Sequence, residues 1–436
     1  MPNTYDVVII GGGASGLAAA ICAAQTLQHH NKPSRVAILE ADIACGKKIL
    51  ATGNGRCNVS NVNLDASHYS NPAFTTHVMQ MAAGLQNKPG LSIEDLIGSW
   101  FDDLGLLTTL QDDRYYPLSL RAESVRDVLL NACNRLNIEL LCNHTVTDVE
   151  RKDDMWHILT HAPSTKLVQR ANEDDRKFKR RLAQATFSTK SFSAASVIFA
   201  AGNLALDSDS YLARFAANNH VSLVAPEPVL CPISCVDAHH DLVTLDAMRV
   251  ICTAHLLRNN SDIYAETGEV LFRTYGLSGV CIFNLSRRVQ PGDTISLNLL
   301  PTSSEDELVA LLHKRAQTLG YEQVLTGIFG TRIAEALYAR ASKYATTNRL
   351  NKIDALAHTI CHLNFEVIST CEHKQAHVLR GGINTQDISS QDLSLSLPGA
   401  FACGEIIDVD ADCGGFNLGW AWASGLLAGF SAASFA

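Results

Sequence analysis

The pattern of apolar and polar residues over positions 5–40 predicts a strand, a turn, a helix and a second strand. Residues 5–10 are mostly apolar, as is typical of a buried strand, and a glycine-rich turn follows at residues 11–16. An alanine-rich apolar segment from Leu17 predicts a helix packed on a sheet, and residues 35–40 form the second apolar run. This order is typical of the βαβ unit that binds dinucleotides.

Four residues of this unit predict a ligand. Gly11 allows a tight turn, Gly13 lets the backbone approach a pyrophosphate at the helix N-terminus, and Gly16 allows close helix–sheet packing. Glu40 ends the second strand, where it is placed to accept hydrogen bonds from an adenosine ribose. The alternative interpretation is a glycine-rich turn in an ordinary α/β protein.

A second glycine-rich segment follows this acidic residue. Residues 51–58 read Ala-Thr-Gly-Asn-Gly-Arg-Cys-Asn, a composition typical of a loop with unusual backbone angles. With Lys47 and Lys48 before it and Arg56 within it, the segment offers several hydrogen-bond donors. We expect it to lie over the cofactor, and a plain surface loop is the alternative.

Further elements follow from periodicity and turn signals. Helices are predicted at 92–105 and 124–136, extended segments at 115–118, 138–141 and 145–149, and a hairpin from 155–160 and 185–192 whose charged tip is 163–183. A buried strand at 195–202 ends at Gly202, and in a doubly wound fold such an end lies beside the nucleotide.

The second half of the chain has a different pattern of predicted elements, and its last part again resembles the N-terminal strand–glycine–helix pattern. Residues 205–300 hold short β-rich pieces with turn signals, which predict an antiparallel sheet or barrel, whereas residues 305–363 are predicted to be helical. Near the end, a strand closes at Gly404, and Gly414 and Gly415 open a buried helix rich in small residues. The N-terminus of this helix predicts a second contact with a ligand.

Composition narrows the function classes. The chain has 436 residues, 47% of them hydrophobic and 18% charged, with a net charge of −9, which argues against nucleic-acid and anionic-membrane partners. Its 13 cysteines include no C-x-x-C pair, so we expect reduced thiols and a cytoplasmic location. The spacing of cysteine and histidine predicts no metal site, and no segment predicts a signal peptide or a membrane span.

Taken together, the N-terminal and C-terminal motifs make the chain resemble a family of bacterial flavoproteins. The resemblance covers nearly the whole chain and is carried by residues 9–17, 52–58, 275–279, 402–410 and 414–422. The family is that of FAD-binding enzymes related to a bile-acid 3-dehydro-Δ4,6-reductase, often called the aminoacetone oxidase family.

The resemblance implies a Rossmann-like α/β FAD domain of the two-dinucleotide-binding type, interrupted by an insert. The split FAD domain would comprise residues 1–204 plus 375–436, with a β-rich substrate domain at 205–304 and a helical part at 305–374. The residues expected around non-covalent FAD are Gly11, Gly13, Ala14, Ser15, Gly16, Glu40, Lys47, Lys48, Gly53, Asn54, Gly55, Arg56, Cys57, Asn58, Val146, Gly202, Gly404, Glu405, Asp412, Gly415, Asn417 and Leu418.

The sequence thus predicts an FAD-dependent oxidoreductase that acts on a small organic molecule, reducing a C=C or C=O bond. The chain has no second G-x-G-x-x-G, so NAD(P)H would be a transient external donor. Two alternatives stay open: an amine oxidase that uses O2, and a non-catalytic or RNA-modification-related flavoprotein.

The catalytic residues stay unknown at this level, with two weak candidates. Arg56 would supply positive charge or bind pyrophosphate, and Tyr275 would donate a proton or pack at a domain junction. Cys57 is predicted to be a structural thiol, because no partner cysteine lies at motif spacing. The sequence does not set the oligomeric state.

Overall fold

The computed structural model describes residues 3–30, 32, 34–85, 92–165, 167, 169–170, 173–202, 207, 209–371 and 376–436. Its strands are β1 (Thr4–Ile10), β2 (Val36–Glu40), β3 (Ser60–Asn61), β4 (Thr108–Gln111), β5 (Arg114–Pro117), β6 (Glu139–Cys142), β7 (Thr145–Lys152), β8 (Met155–Pro163), β9 (Phe187–Phe199), β10 (Leu223–Val229), β11 (Ile233–Cys235), β12 (Arg249–Arg258), β13 (Ser261–Arg273), β14 (Gly276–Ser278), β15 (Thr294–Asn298), β16 (Leu363–Thr370), β17 (Val378–Ile383) and β18 (Ala400–Ala402). Its α-helices are α1 (Ala14–His29), α2 (Pro72–Gly84), α3 (Ile93–Leu104), α4 (Ala122–Arg135), α5 (Asp175–Ala183), α6 (Tyr211–Asn219), α7 (Asp241–Thr244), α8 (Val280–Ser286), α9 (Glu305–Leu319), α10 (Thr331–Asn348), α11 (Lys352–Cys361) and α12 (Phe416–Phe435).

The chain forms two compact units. The first comprises Met1–Glu227 with Arg380–Ala436, and the second comprises Pro228–Leu379. The boundaries predicted at 204/205 and 374/375 fall on residues outside the described part of the chain, so the three-part division stays a prediction. None of the described helices combines the length and apolarity needed to cross a membrane.

The first unit is built on a seven-stranded sheet in the order β6-β2-β1-β9-β8-β7, with β18 also paired to β9. The strands β6, β2, β1, β9 and β18 run parallel, whereas β8 and β7 extend the sheet in antiparallel fashion. Parallel strands need both faces covered, which explains the continuous apolar runs of β1 and β2. The predicted Rossmann-like α/β fold is confirmed.

Two helices of the first unit approach each other at backbone distance. A Cβ atom placed on Gly425 of α12 would lie 2.5 Å from the carbonyl oxygen of Ser15, and one on Gly429 would lie 2.2 Å from that of Ala19. Glycines four residues apart share one helix face, so both turn the same stripe of α12 towards α1. The N-terminal βαβ unit and the C-terminal helix therefore share one core.

The hairpin predicted after residue 155 is present, because β8 and β9 pair along Trp156–Pro163 and Phe187–Ala194. Its charged tip contains a helix, α5, which the sequence analysis did not predict. Asp174 caps α5 through the Lys177 N–H, and Arg181 pairs with Glu173 at 2.6 Å. Most side chains of α5 are exposed, as expected for a solvated tip, while Phe178 is buried.

The second unit contains a closed barrel with the strand order β11-β14-β13-β12-β15-β16. The sequence prediction of a sheet or barrel is confirmed, but the region also contains the helices α7 and α8. Strand β16 lies in the part expected to be helical, and it completes the ring by pairing with β11 and β15. Its residues 363–368 alternate between buried and exposed, and this period of two indicates a strand.

The α1–α12 contact predicts opposite effects for two glycine-to-alanine changes. We expect Gly429→Ala to lower the free energy of unfolding by about 1–3 kcal/mol, because the added methyl group meets the Ala19 carbonyl. We expect the control Gly98→Ala, in α3, to raise it by about 0.5–1 kcal/mol, because nothing lies within 4 Å of its Cβ position. Thermal and urea unfolding followed by circular dichroism measures both, and equal effects would contradict the packing.

Candidate functional site

The turn between β1 and α1 contains three glycines of the motif. Two of them pack tightly against backbone atoms, and the third has free space around it. Gly11 has φ +109°, and a Cβ on it would lie 2.5 Å from the Ala200 carbonyl oxygen. A Cβ on Gly16 would lie 1.9 Å from the Gly11 carbonyl oxygen, so these two positions require glycine. Gly13 has open space around its Cβ position, with no atom within 4 Å. A ligand can therefore reach the backbone at Gly13.

The first turn of α1 presents hydrogen-bond donors to this space. Gly13 is the N-cap and has no side-chain cap, and the first turn contains no acidic residue. Within the described part of the chain, no acceptor receives the N–H groups of Gly13, Ala14 and Ser15. Free N–H groups at a helix N-terminus commonly donate hydrogen bonds to the oxygens of a bound phosphate or pyrophosphate.

The carboxylate of Glu40 borders the same turn. One oxygen accepts the Gly12 N–H at 2.7 Å and the other accepts the Asp42 N–H at 2.7 Å. These bonds fix the orientation of the side chain while each oxygen keeps a further lone pair. The Glu40 carbonyl accepts the His144 N–H at 2.9 Å, which brings the start of β7, with the buried Val146, next to the end of β2.

The two lysines expected near FAD, Lys47 and Lys48, have different surroundings. Lys47 Nζ lies 3.1 Å from Asp42 and 3.5 Å from Asp175 of α5. Burial lowers the pKa of Lys47, but the hydrogen bond and charge of Asp42 outweigh it, so the pKa is raised. Lys48 is exposed, and its Nζ lies 3.6 Å from the Cβ position of Gly202.

The C-terminal segment meets the first turn at Gly404. Ser15 Oγ donates to the Cys403 carbonyl oxygen at 3.5 Å, and a Cβ on Gly404 would lie 2.2 Å from Ser15 Oγ. Gly404 is also held from α12, because its N–H donates to Ser424 Oγ at 3.0 Å and its carbonyl accepts Trp420 Nε1–H at 3.1 Å. The structure thus joins motifs that stand almost 400 residues apart in the sequence.

Glu405 follows this contact and is half-buried. Burial raises the pKa of its carboxyl, and the charge of Lys48 opposes the shift. Glu405 Oε2 lies 3.7 Å from the Cβ position of Gly202, on the same side as Lys48 Nζ. Gly202, at the end of its strand, therefore lies near the Lys48 ammonium and the Glu405 carboxyl group, which belong to different motifs.

The glycine-rich loop at residues 51–58 leads into β3, which lies against the start of α12. Asn54 and Cys57 adopt positive φ, at 54° and 56°, as does Gly53 between the two short 3-10 turns. Beyond the loop, Asn61 Nδ2 donates to the Gly414 carbonyl at 3.0 Å, and a Cβ on Gly415 would lie 2.6 Å from the Ser60 carbonyl. The strand that follows Gly55 and Asn58 is thereby tied to the second glycine turn.

The N-terminus of α12 repeats the arrangement found at α1. Gly415 is the N-cap with φ +102°, and the first turn has no acidic residue. No acceptor among the described residues receives the N–H groups of Phe416, Asn417 and Leu418. The Asn417 side chain instead braces the preceding loop, accepting the Ala411 N–H at 2.9 Å and donating to its carbonyl at 2.8 Å.

Sequence reasoning missed the residues that support the loop between Gly404 and Gly414, which contains Asp410 and Asp412. His68 Nδ1 lies 3.2 Å from the buried Asp412, and its ring stacks on Phe416 at 4.0 Å. Arg380 binds the fully buried Asp410 through two hydrogen bonds, of 2.8 and 3.1 Å. No local pattern marks His68 or Arg380, because each partner lies far along the chain.

The candidate catalytic residues are placed in different units. Arg56 is exposed, and its guanidinium lies 4.9 Å from the centre of the Tyr116 ring. Tyr275 belongs to the second unit and is 40% exposed. Cys57 is fully buried, and burial raises its pKa to about 11, against a hydrogen bond from Thr52. A buried thiol with a raised pKa suits the structural role predicted for it.

Comparison with known proteins identifies relatives along the full chain. Residues 5–431 match the family model described as HI0933-like protein Rossmann domain. The chain is 28% identical to a 3-dehydro-bile acid delta(4,6)-reductase from Clostridium scindens, covering 98% of both chains. It is 26% identical to a ribosomal RNA dihydrouridine synthase from Haemophilus influenzae, covering 97% of both. Among solved structures, it is similar to the 3-ketosteroid-delta4-(5alpha)-dehydrogenase from Rhodococcus jostii, with a TM-score of 0.45, 13% identity and coverage of 99% and 97%.

Gly13 provides a test of the first turn. We expect Gly13→Leu to fold normally, because its Cβ position is open and its φ of −77° suits any L-residue. The leucine side chain would fill the space in which the pyrophosphate of FAD is expected, so the affinity for FAD should fall by at least about tenfold. Fluorescence titration of apoprotein with FAD measures this, and unchanged affinity would contradict the assignment. Gly84→Leu, at an equally open position, is the control.

Glu405 provides a test that depends on pH. Because its pKa is raised in the folded chain, its contribution to stability is full below the ordinary value of 4.5 and is lost as pH rises through the folded value. We expect Glu405→Gln to remove this loss, so the apoprotein variant should gain stability relative to the wild-type protein at pH 8 and little at pH 4. Melting temperatures at both pH values check this, and a pH-independent difference would contradict it.

Proposed function

We propose that this chain, an FAD-dependent oxidoreductase that belongs to the HI0933-like family of Rossmann-domain proteins, acts on a small organic molecule. The proposed reaction is reduction of a C=C bond conjugated to a carbonyl group. The observation behind the FAD part of the proposal is the meeting of Ser15, at the first glycine turn, with Gly404, which follows the last strand. A site for a ligand as long as FAD needs such a continuous surface, and a nucleotide alone needs only the first turn.

The residues of this surface fit FAD in shape and charge. The open space at Gly13 and the free N–H groups of α1 suit the pyrophosphate, and the fixed Glu40 carboxylate suits the adenosine ribose. The free N–H groups of α12 form a second donor set, which would hold the flavin end of the cofactor. We assign the segments around Asn54 and Glu405 to the ribityl and ring half, as the resemblance to FAD-binding enzymes implies.

When bound, the flavin would supply hydride transfer at its N5. The chain contributes binding and orientation. The dipoles of α1 and α12 both point their positive ends into the site, and neither first turn contains an acid that would cancel them. Arg56 adds an exposed positive charge on the glycine-rich loop, where the Tyr116 ring holds its guanidinium.

The substrate class is inferred from the chemistry that two relatives share. The name of one describes reduction of ring double bonds in a 3-dehydro bile acid, and the name of the other describes formation of dihydrouridine. Both reactions add two hydrogens across a C=C bond conjugated to a carbonyl. An external NAD(P)H donor completes the proposal, since the described chain contains one glycine-rich βαβ unit of this type.

A second candidate function is reduction of uridine in RNA. The full-length similarity to a ribosomal RNA dihydrouridine synthase favours it, whereas the net charge of −9 opposes binding to a polyanion. The small-molecule enone is therefore the better supported substrate. Amine oxidation with O2 has no relative of that name among those described above.

Stopped-flow reduction of the holoprotein tests the proposed reaction. We expect NAD(P)H to bleach the flavin rapidly and a steroid or other cyclic enone to restore its colour anaerobically. Bleaching by amines alone, with release of peroxide, would overturn the proposal in favour of an oxidase. Recovery with uridine-containing ribosomal RNA but not with enones would favour the second candidate.

A further inference from the structure

A histidine–carboxylate cluster lies in the second unit and is formed by residues that take no part in the flavin site. Glu305 is the first residue of α9, and His358 and His362 are four residues apart at the end of α11. The Glu305 carboxylate reaches both rings: Oε1 lies 3.1 Å from His358 Nδ1, and Oε2 lies 3.1 Å from His362 Nε2. In the part of the chain that the structure describes, no other group of His, Cys, Asp and Glu brings three such atoms so close.

We propose that Glu305, His358 and His362 bind a divalent transition-metal ion. The three ligand atoms all lie within 4.8 Å of one another. With metal–ligand bonds of about 2.0–2.2 Å and angles near 90–110°, neighbouring ligand atoms are separated by about 2.8–3.6 Å. The two N···O separations of 3.1 Å, which involve different oxygens of the Glu305 carboxylate, fall inside this interval, and rotation of the exposed His362 ring would close the third.

The ligand types select the class of ion. Two imidazoles and one carboxylate suit Zn²⁺, Ni²⁺, Cu²⁺ or Fe²⁺, whereas Mg²⁺ and Ca²⁺ prefer oxygen ligands throughout. Cys361 precedes His362 in the chain, but it is buried and does not belong to the group of atoms that lie within 4.8 Å of one another. It is therefore not counted among the ligands.

The surroundings orient one ring and leave room for further ligands. The Tyr344 ring stacks on His358 with its centre 4.5 Å away and an interplanar angle of 13°. Both histidines also line a cavity of about 360 Å³ together with His239, Lys343 and Asn364. Three protein ligands beside an open cavity leave coordination positions for water or a small anion.

The sequence did not suggest this site, because its ligands come from distant segments. His358 lies in the last turn of α11 and His362 is the residue that follows this helix, whereas the third ligand lies more than fifty residues earlier. The fold supplies it by packing α9 against α11, and an ion held there would join the start of one helix to the end of the other.

Calorimetric titration of untagged, chelator-treated holoprotein with ZnCl2 tests the proposal. We expect one ion per chain, a raised melting temperature, and at least about tenfold weaker binding in His358→Ala, His362→Ala and Glu305→Gln. His313→Ala is the matched control, because His313 contacts Asp354 at 3.1 Å in the same unit without a second imidazole.

Cobalt spectroscopy distinguishes histidine from cysteine ligands. CoCl2 should give visible d–d bands in the difference spectrum without a thiolate-to-metal band, and flavin content should be equal in all variants. Absence of binding to the wild-type protein would overturn the proposal. Equal affinity in the three ligand variants, or a thiolate band, would also overturn it by placing the ion elsewhere.

Discussion

The close approach of α1 and α12 is the contact on which the candidate flavin site depends. Gly425 and Gly429 bring the backbone of the C-terminal helix against Ser15 and Ala19, at distances that no side chain would allow. The same contact sets Gly404 beside Ser15 Oγ. The two glycine turns, which begin these helices, therefore have their relative position fixed by packing of small residues.

The distribution of charge around the site leaves the N-termini of both helices available to a ligand. The N-terminal turns of α1 and α12 contain no acidic residue, so the dipoles and free N–H groups of both helices remain available. The acids stand outside the turns and already have partners: Glu40 accepts two backbone N–H groups, Asp410 pairs with Arg380, and Asp412 contacts His68. The site therefore suits a ligand with a central anionic group, such as the pyrophosphate of FAD.

Some predictions from the sequence were incomplete for reasons visible in particular residues. Strand β16 has the alternation of a strand, but it follows three helices directly and was grouped with them. The sequence did not indicate that Lys47 pairs with Asp42 and with Asp175 of the unpredicted helix α5, and its expected place near FAD stays a prediction. The roles of His68 and Glu305 depend on partners far along the chain, so no spacing rule could indicate them.

The sequence alone determined the βαβ unit, the glycine positions with their backbone requirements, and the type of the longer helices. These features arise from local sterics and periodicity, which neighbouring residues encode. Only the tertiary structure decided that Ser15 meets Gly404, that β16 closes the barrel, and that Glu305 joins two histidines of another helix. Such contacts result from packing between distant segments, and burial of shared apolar surface, rather than any local pattern, selects them.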